Sequence, residues 1–271
     1  MQELKPNSSN YIFQICLFIF LAFIFSGCAH KDFSPSAPVN WELSPSAKAD
    51  YYYLRYQGLL QENKPDKALE SLKKVIEIQP SAQTYLDLAN LQWQSNNLDK
   101  SRETLKQGLE KFPDSPQLVI TLSNTYLAQN RWESALVTLK EFIKTRQEHL
   151  AVNKKIASIY LEQDKFAQAL DTLNQISSAK QSKEILFLKA KAYSGLGLEN
   201  KAIDHLQKAT EKDPDYLEAW AELAYLYELQ KDYVAAAKTY SRLLEMGQTS
   251  TEVWIRLIDI HLKLNNPDKA L

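Results

Sequence analysis

Seven small residues, Ala68, Ser101, Ala135, Ala169, Ala202, Ala236 and Ala270, recur at intervals of 33, 34, 34, 33, 34 and 34. A period of this length suits a stacked two-helix repeat, because a single helix pair cannot bury both of its faces without neighbours. The unit is plainest between Leu217 and Gln248. Trp220, Leu223 and Tyr227, with small Ala224 beside them, follow the three-and-four spacing of one helix face. After a break at Gln230-Lys231-Asp232, a second such face runs through Tyr233, Ala236, Tyr240, Leu243 and Leu244. Each unit is therefore predicted to be two short antiparallel helices that meet where Ala224 and Ala236 are small. Residues 49–271 are predicted to be all-α, with about six complete repeats and a truncated seventh.

The unit resembles the tetratricopeptide repeat, whose pattern is Trp-x2-Leu-Gly-x2-Tyr, then Ala-x3-Phe, then Pro. Its second-helix element appears as Ala68 with Leu72, Ser101 with Leu105, Ala135 with Leu139, Ala169 with Leu173, Ala202 with Leu206 and Ala236 with Tyr240. The first-helix tyrosine is Tyr126, Tyr160, Tyr193 and Tyr227, replaced by Gln92 in the second copy and His261 in the seventh. The closing proline is present as Pro80, Pro113 and Pro214. The divergent first copy, around Tyr51 to Leu60, suits a terminal cap. The resemblance implies a tetratricopeptide-repeat (TPR) α-solenoid whose first helices line a concave groove and whose second helices form the convex back. The groove residues that it implies are Asn90, Trp93, Asn124, Leu127, Lys154, Ser158, Lys191, Tyr225 and Glu228. Asn90 and Asn124 fall 34 apart, so that stacked amides could grip a peptide backbone, and Trp93 would add apolar area. The plainer reading of each is an ordinary solvated position. Some relatives clamp a peptide carboxylate with Lys, Asn and Arg on successive first helices. Asn124 followed by Lys154 and Lys155 partly fits, but Ile120 stands where a cation is needed.

Composition narrows the function. The formal charge is -1 and acidic and basic residues are interspersed, without the basic stripe of a nucleic-acid binder. The chain has two cysteines, Cys16 and Cys28, too few for a disulfide framework or a cysteine zinc site. His30, His149, His205 and His261 fall on separate elements, and no nucleophile elbow, phosphate loop or zinc-protease motif occurs. Gly195-Leu196-Gly197 is placed where a helix turn needs such residues. Asp213 and Asp215 flank Pro214 as predicted helix caps. The expectation is therefore a protein with no enzymatic activity, cofactor, metal or small-molecule substrate, which binds a protein or peptide.

At the amino terminus, eleven consecutive apolar residues from Ile15 to Phe25 precede Ser26-Gly27-Cys28. A spanning helix needs about 18 or more, whereas a secretory leader has a shorter apolar core followed by small residues. Ser-Gly-Cys here resembles the bacterial lipobox, although Phe25 replaces the usual Leu and Glu3 offsets Lys5. The resemblance implies a lipoprotein signal peptide over 1–27, acylation of Cys28 and, since Ala29 is not Asp, attachment to the outer membrane facing the periplasm. The alternative is an uncleaved helical anchor. Residues 28–48 are expected to form a Pro/Ser-rich tether, with Trp41 and Leu43 either free or packed on the first repeat. At the other end, Asn266-Pro267-Asp268-Lys269-Ala270-Leu271 nearly repeats Lys64-Pro65-Asp66-Lys67-Ala68-Leu69. The last second helix is thus expected to have only its first turn, leaving the apolar side of Trp254 to Leu264 short of cover. The expected function is a membrane-tethered adaptor or scaffold in cell-envelope assembly. The alternative is an accessory subunit that positions an envelope enzyme or polysaccharide-export complex.

Overall fold

Seven residues, Asn63, Asn96, Asn130, Asp164, Gly197, Lys231 and Asn265, adopt positive φ between 53° and 69° at the same point of successive repeats. In the computed structural model, which describes residues 44–144 and 149–265, these residues end each first helix. In the sixth repeat Lys231 N donates to Glu228 O and Asp232 N to Tyr227 O, the paired bonds that close a helix through a left-handed residue. Asn96 with Asn97, Asn130 with Arg131 and Gly197 with Leu198 repeat the pair. Asn, Asp and Gly suit this conformation, whereas other side chains crowd the following carbonyl. Lys231 is the misfit. Lys231→Asn is expected to raise stability by about 0.5–1 kcal/mol, seen as a higher denaturation midpoint; an unchanged or lower midpoint would show that the turn is unstrained.

The turns divide the described residues into thirteen α-helices: α1 Pro45–Gln61, α2 Pro65–Ile78, α3 Ala82–Gln94, α4 Leu98–Lys111, α5 Pro116–Leu127, α6 Trp132–Lys144, α7 Leu150–Glu162, α8 Phe166–Asn174, α9 Lys183–Gly195, α10 Glu199–Lys212, α11 Leu217–Leu229, α12 Tyr233–Glu245 and α13 Thr251–Lys263. A short 3-10 turn, Ser178–Lys180, follows α8, and no strand occurs among the described residues. Proline opens helices here. Pro65 and Pro116 stand at helix starts, where the missing amide hydrogen is not needed. The same reasoning accounts for α1, which starts at Pro45, four residues before the start at Ala49 that composition suggests. Ser81 and Thr84 form a reciprocal capping box at α3, and Asn97, Asp232 and Ser250 cap α4, α12 and α13. Of the two predicted caps, Asp213 is the C-terminal cap of α10, whereas Asp215 caps neither helix. Tyr216 precedes α11, while Asp213 ends α10, accepts a bond from Asp215 N and pairs with Lys183 Nζ.

Each first helix from α1 to α11 packs on its own second helix, and each second helix packs on the first helix of the next repeat. First helices α3, α5, α7 and α9 also touch one another in sequence. Close approach depends on two small positions. Ala68, Ser101, Ala135, Ala169, Ala202 and Ala236 on the second helices are fully buried, as are Ala89, Ser123, Ala157, Ala190 and Ala224 on the first. Four residues beyond the second-helix marker, Leu72, Leu105, Leu139, Leu173 and Leu206 are fully buried and Tyr240 nearly so. Burying one such leucine contributes about 1.5–3 kcal/mol. The interior is a succession of clusters: one from Tyr85 to Ala192, one across α9 to α11 and one across α11 to α13. This is what neighbour-only packing produces. One core position departs from the pattern. Leu88, Leu122, Ile156, Leu223 and Leu257 share a register in which α9 places Lys189.

Candidate functional site

A first helix uses one face for packing and leaves another outward. In α11, Trp220, Leu223 and Tyr227 pack inward while Ala221 and Tyr225 lie on the other side. The residues singled out from the sequence fall on this outer face but are not equally available. Asn90, Lys191 and Tyr225 are exposed; Trp93, Asn124, Leu127, Lys154, Ser158 and Glu228 are half-buried. Neither Asn90 nor Asn124 has a side-chain hydrogen-bond partner among the described residues. Leu127 packs against the core, and the Ser158 hydroxyl donates to Lys154 O in its own helix at 3.0 Å. Lys191 Nζ lies 6.0 Å from the Phe187 ring centre. Burial holds the Lys155 ammonium below the usual lysine range.

Glu228 has a structural task. Its Oε2 accepts the Tyr240 hydroxyl at 3.0 Å and an Arg256 N–H at 3.1 Å, and Arg256 also donates to Glu252 at 3.0 Å. The network joins α11, α12 and α13. Burial first, and then the bond to Glu228, push the Tyr240 hydroxyl above the ordinary phenol range. Hydrogen bonding to Glu252 and Glu228 holds the Arg256 guanidinium firmly charged. Beside this network a cleft of about 260 Å³ opens between α11 and α13, lined by Ala221, Tyr225, Val253 and Arg256 among others.

The exposed apolar part of this face extends well beyond Tyr225, the one member of it that the sequence singles out. Tyr225 and Leu229 on α11 are 46% and 54% exposed, and Ile255 and Leu262 on α13 are 60% and 55% exposed. Ile255 occupies the register of Lys154, and Leu262 that of Trp93 and Leu127. Carrying the register into the seventh repeat would have found both. Glu218, Glu222, Glu252 and Asp259 give these helices an acidic surround, with Asp259 bridged to Lys263 at 2.5 Å.

Reactive groups do not converge. His205 Nδ1 lies 2.9 Å from Lys201 O and its ring is pushed below the usual imidazole range, chiefly by burial. His149 and His261 each have a buried Nδ1 without a partner and lie on different helical units. Among the described residues no group of three or more His, Cys, Asp or Glu could hold a metal ion. No helix there is long and apolar enough to cross a membrane. Cys28, the leader over 1–27, the tether as far as residue 43, and residues 266–271 lie outside the described residues.

Helix pairs of constant period, small residues at each crossing and an exposed first-helix face define the class: an all-helical repeat scaffold for protein interaction. Residues 56–169 match the family model for the tetratricopeptide repeat protein 21 ARM repeat, and residues 197–254 match the tetratricopeptide repeat model. The chain belongs to the tetratricopeptide-repeat proteins. No curated protein matches it. Solved structures share the fold at low identity. A tetratricopeptide repeat protein from Parabacteroides merdae aligns at 13% identity and TM-score 0.60, covering 82% of this chain and 89% of its own. A double mutant of MamA RS-1 aligns at 17% and 0.53, covering 62% and 95%. YrrB, a TPR protein with an unusual peptide-binding site, aligns at 16% and 0.51, covering 68% and 96%.

Proposed function

We propose that the chain is a lipid-tethered adaptor of the bacterial cell envelope that holds a protein or peptide partner along its first-helix face. One observation carries the interaction reading: Tyr225, Leu229, Ile255 and Leu262 stand exposed along two neighbouring first helices beside an open cleft. Apolar side chains gathered in this way mark interaction surfaces. The fold it shares with YrrB, a TPR protein with an unusual peptide-binding site, is consistent with that use. Aromatic and aliphatic anchors would enter the C-terminal part of the face, and Asn90 and Asn124 would hold backbone further along.

The anchor half of the proposal rests on Ser26-Gly27-Cys28 at the end of the apolar leader. Each buried methylene contributes about 0.8 kcal/mol, and two or more chains hold firmly where one does not. In this reading the repeats stand at the periplasmic side of the outer membrane and gather components of an envelope assembly. Two measurements separate the halves. Tyr225→Ala with Ile255→Ala is expected to weaken partner retention at least tenfold with helicity unchanged; undiminished retention would remove the interaction reading. Cys28→Ala is expected to move the protein from the membrane to the soluble fraction, and continued membrane retention would remove the anchor.

A further inference from the structure

The opposite side of the same repeats carries a second feature. Between second helices α10 and α12 lies a hollow of about 850 Å³, floored by Trp220, Leu223 and Tyr227 of α11. Two departures from the repeat account for it. Eight residues beyond the marker, four other second helices carry Ile76, Leu109, Ile143 and Leu244, whereas α10 carries Thr210. One residue before the marker, earlier repeats carry Lys67, Lys100, Ser134, Gln168 and Lys201, whereas α12 carries Ala235. The Thr210 hydroxyl donates to Gln207 O in its own helix, so it does not reach across. Both walls are thus cut back at the same place.

The floor presents apolar faces whose polar ends are already engaged. The Trp220 indole N–H donates to Pro214 O at 2.9 Å, and the Tyr227 hydroxyl accepts from Gln207 Nε2 at 2.8 Å. The walls differ in charge. α10 contributes Glu211, while α12 contributes Lys238 and Arg242, the latter bridged to Glu245 at 3.2 Å. From Ala235 to Glu245 the α12 wall runs about 15 Å, or three helical turns. A trough of that length, with an apolar floor, an acidic edge and a basic edge, matches one occupant in shape and charge.

We propose that this hollow is a docking site for an amphipathic helix of a partner protein. Its apolar stripe lies over Trp220 and Tyr227, its basic edge faces Glu211 and its acidic edge faces Lys238. This goes beyond the first-helix reading, since the two surfaces lie on opposite sides of α11 and can be occupied together. An amphipathic helix recognises such a groove through apolar side chains at i, i+3 or i+4, and i+7.

The test uses the full chain as bait for a displayed library of helical 14-residue peptides, with Thr210→Leu as the counter-selection. Leucine is the residue type found at 109 and 244, so this variant fills the hollow in a manner the repeat already accommodates. Should it melt early, Ala235→Lys, the residue type found at 67, 100 and 201, replaces it. The expected result is enrichment of peptides with an apolar stripe bordered by acidic residues on one side and basic on the other. Their binding should weaken at least tenfold with Thr210→Leu and with Lys238→Glu, and stay unchanged with Tyr225→Ala plus Ile255→Ala. Absence of enriched peptides, equal binding to the filled variant, or loss of binding in the Tyr225/Ile255 variant would each overturn the proposal.

Discussion

Leu206→Ala is expected to lower the unfolding free energy by about 2–5 kcal/mol, the cost of a leucine-sized cavity that its surroundings only partly fill. Leu206 is fully buried and shares a cluster with Leu186, Ile203, Leu223 and Leu226, contributed by three successive helices. Those helices are held by their own neighbours, so collapse onto the vacancy is limited. In a stack of repeats the loss should also be local, because stability is close to a sum of repeat and neighbour terms. Hydrogen exchange in Leu206→Ala is therefore expected to accelerate in α9 to α11 while α4 to α6 keep their protection. Uniform acceleration along the chain would mean that the clusters form a single cooperative core.

Lys189→Leu is expected to stabilise the protein by about 1 kcal/mol at neutral pH, the low end of the cost of burying a polar group, because the side chain is buried while its ammonium is only partly withdrawn from water. Lys189 is only 5% exposed at a position where other first helices place leucine or isoleucine. Burial, with no opposing carboxylate, pushes its ammonium below the usual lysine range. The sign of the pH dependence follows. Between the depressed value in the folded chain and about 10.4 in the unfolded chain, the unfolded chain binds more protons, so stability rises with pH across that window. Below the window the wild type carries the full penalty. The advantage of Lys189→Leu should thus be complete at pH 7 and shrink as the pH climbs toward about 10.4. Paired denaturant titrations at pH 7 and pH 10 would show this; equal advantages at both would mean that the Lys189 ammonium is not penalised in the folded chain.

The repeat was legible because its requirement is local and periodic. Two helices cross only where side chains are small, and Ala68 through Ala236 mark those crossings without reference to anything distant. Tyr126 and Tyr160 are buried as their register implies, and Tyr193 and Tyr227 flank the core. What escaped depends on pairings in space. Nothing local to Glu228 announces that Arg256, 28 positions away, and Tyr240 both donate to its carboxylate. Asp213 caps α10 as its position suggests, but nothing local announces that Lys183, 30 positions away, reaches it. Pro45 resembles a breaker when composition alone is weighed, yet proline at a first turn is a starter. The hollow behind α11 is subtler still, because Thr210 and Ala235 matter for the bulk that they lack.

The account stands on the outer surface of the first helices being where another polypeptide is held. Site-specific incorporation of a photoreactive phenylalanine in place of Tyr225, with Val137 on α6 as an exposed control, tests this inside the cells that make the protein. The account predicts a crosslinked adduct with a second polypeptide at position 225 that is absent at 137. Crosslinking no stronger at 225 than at the control would contradict it.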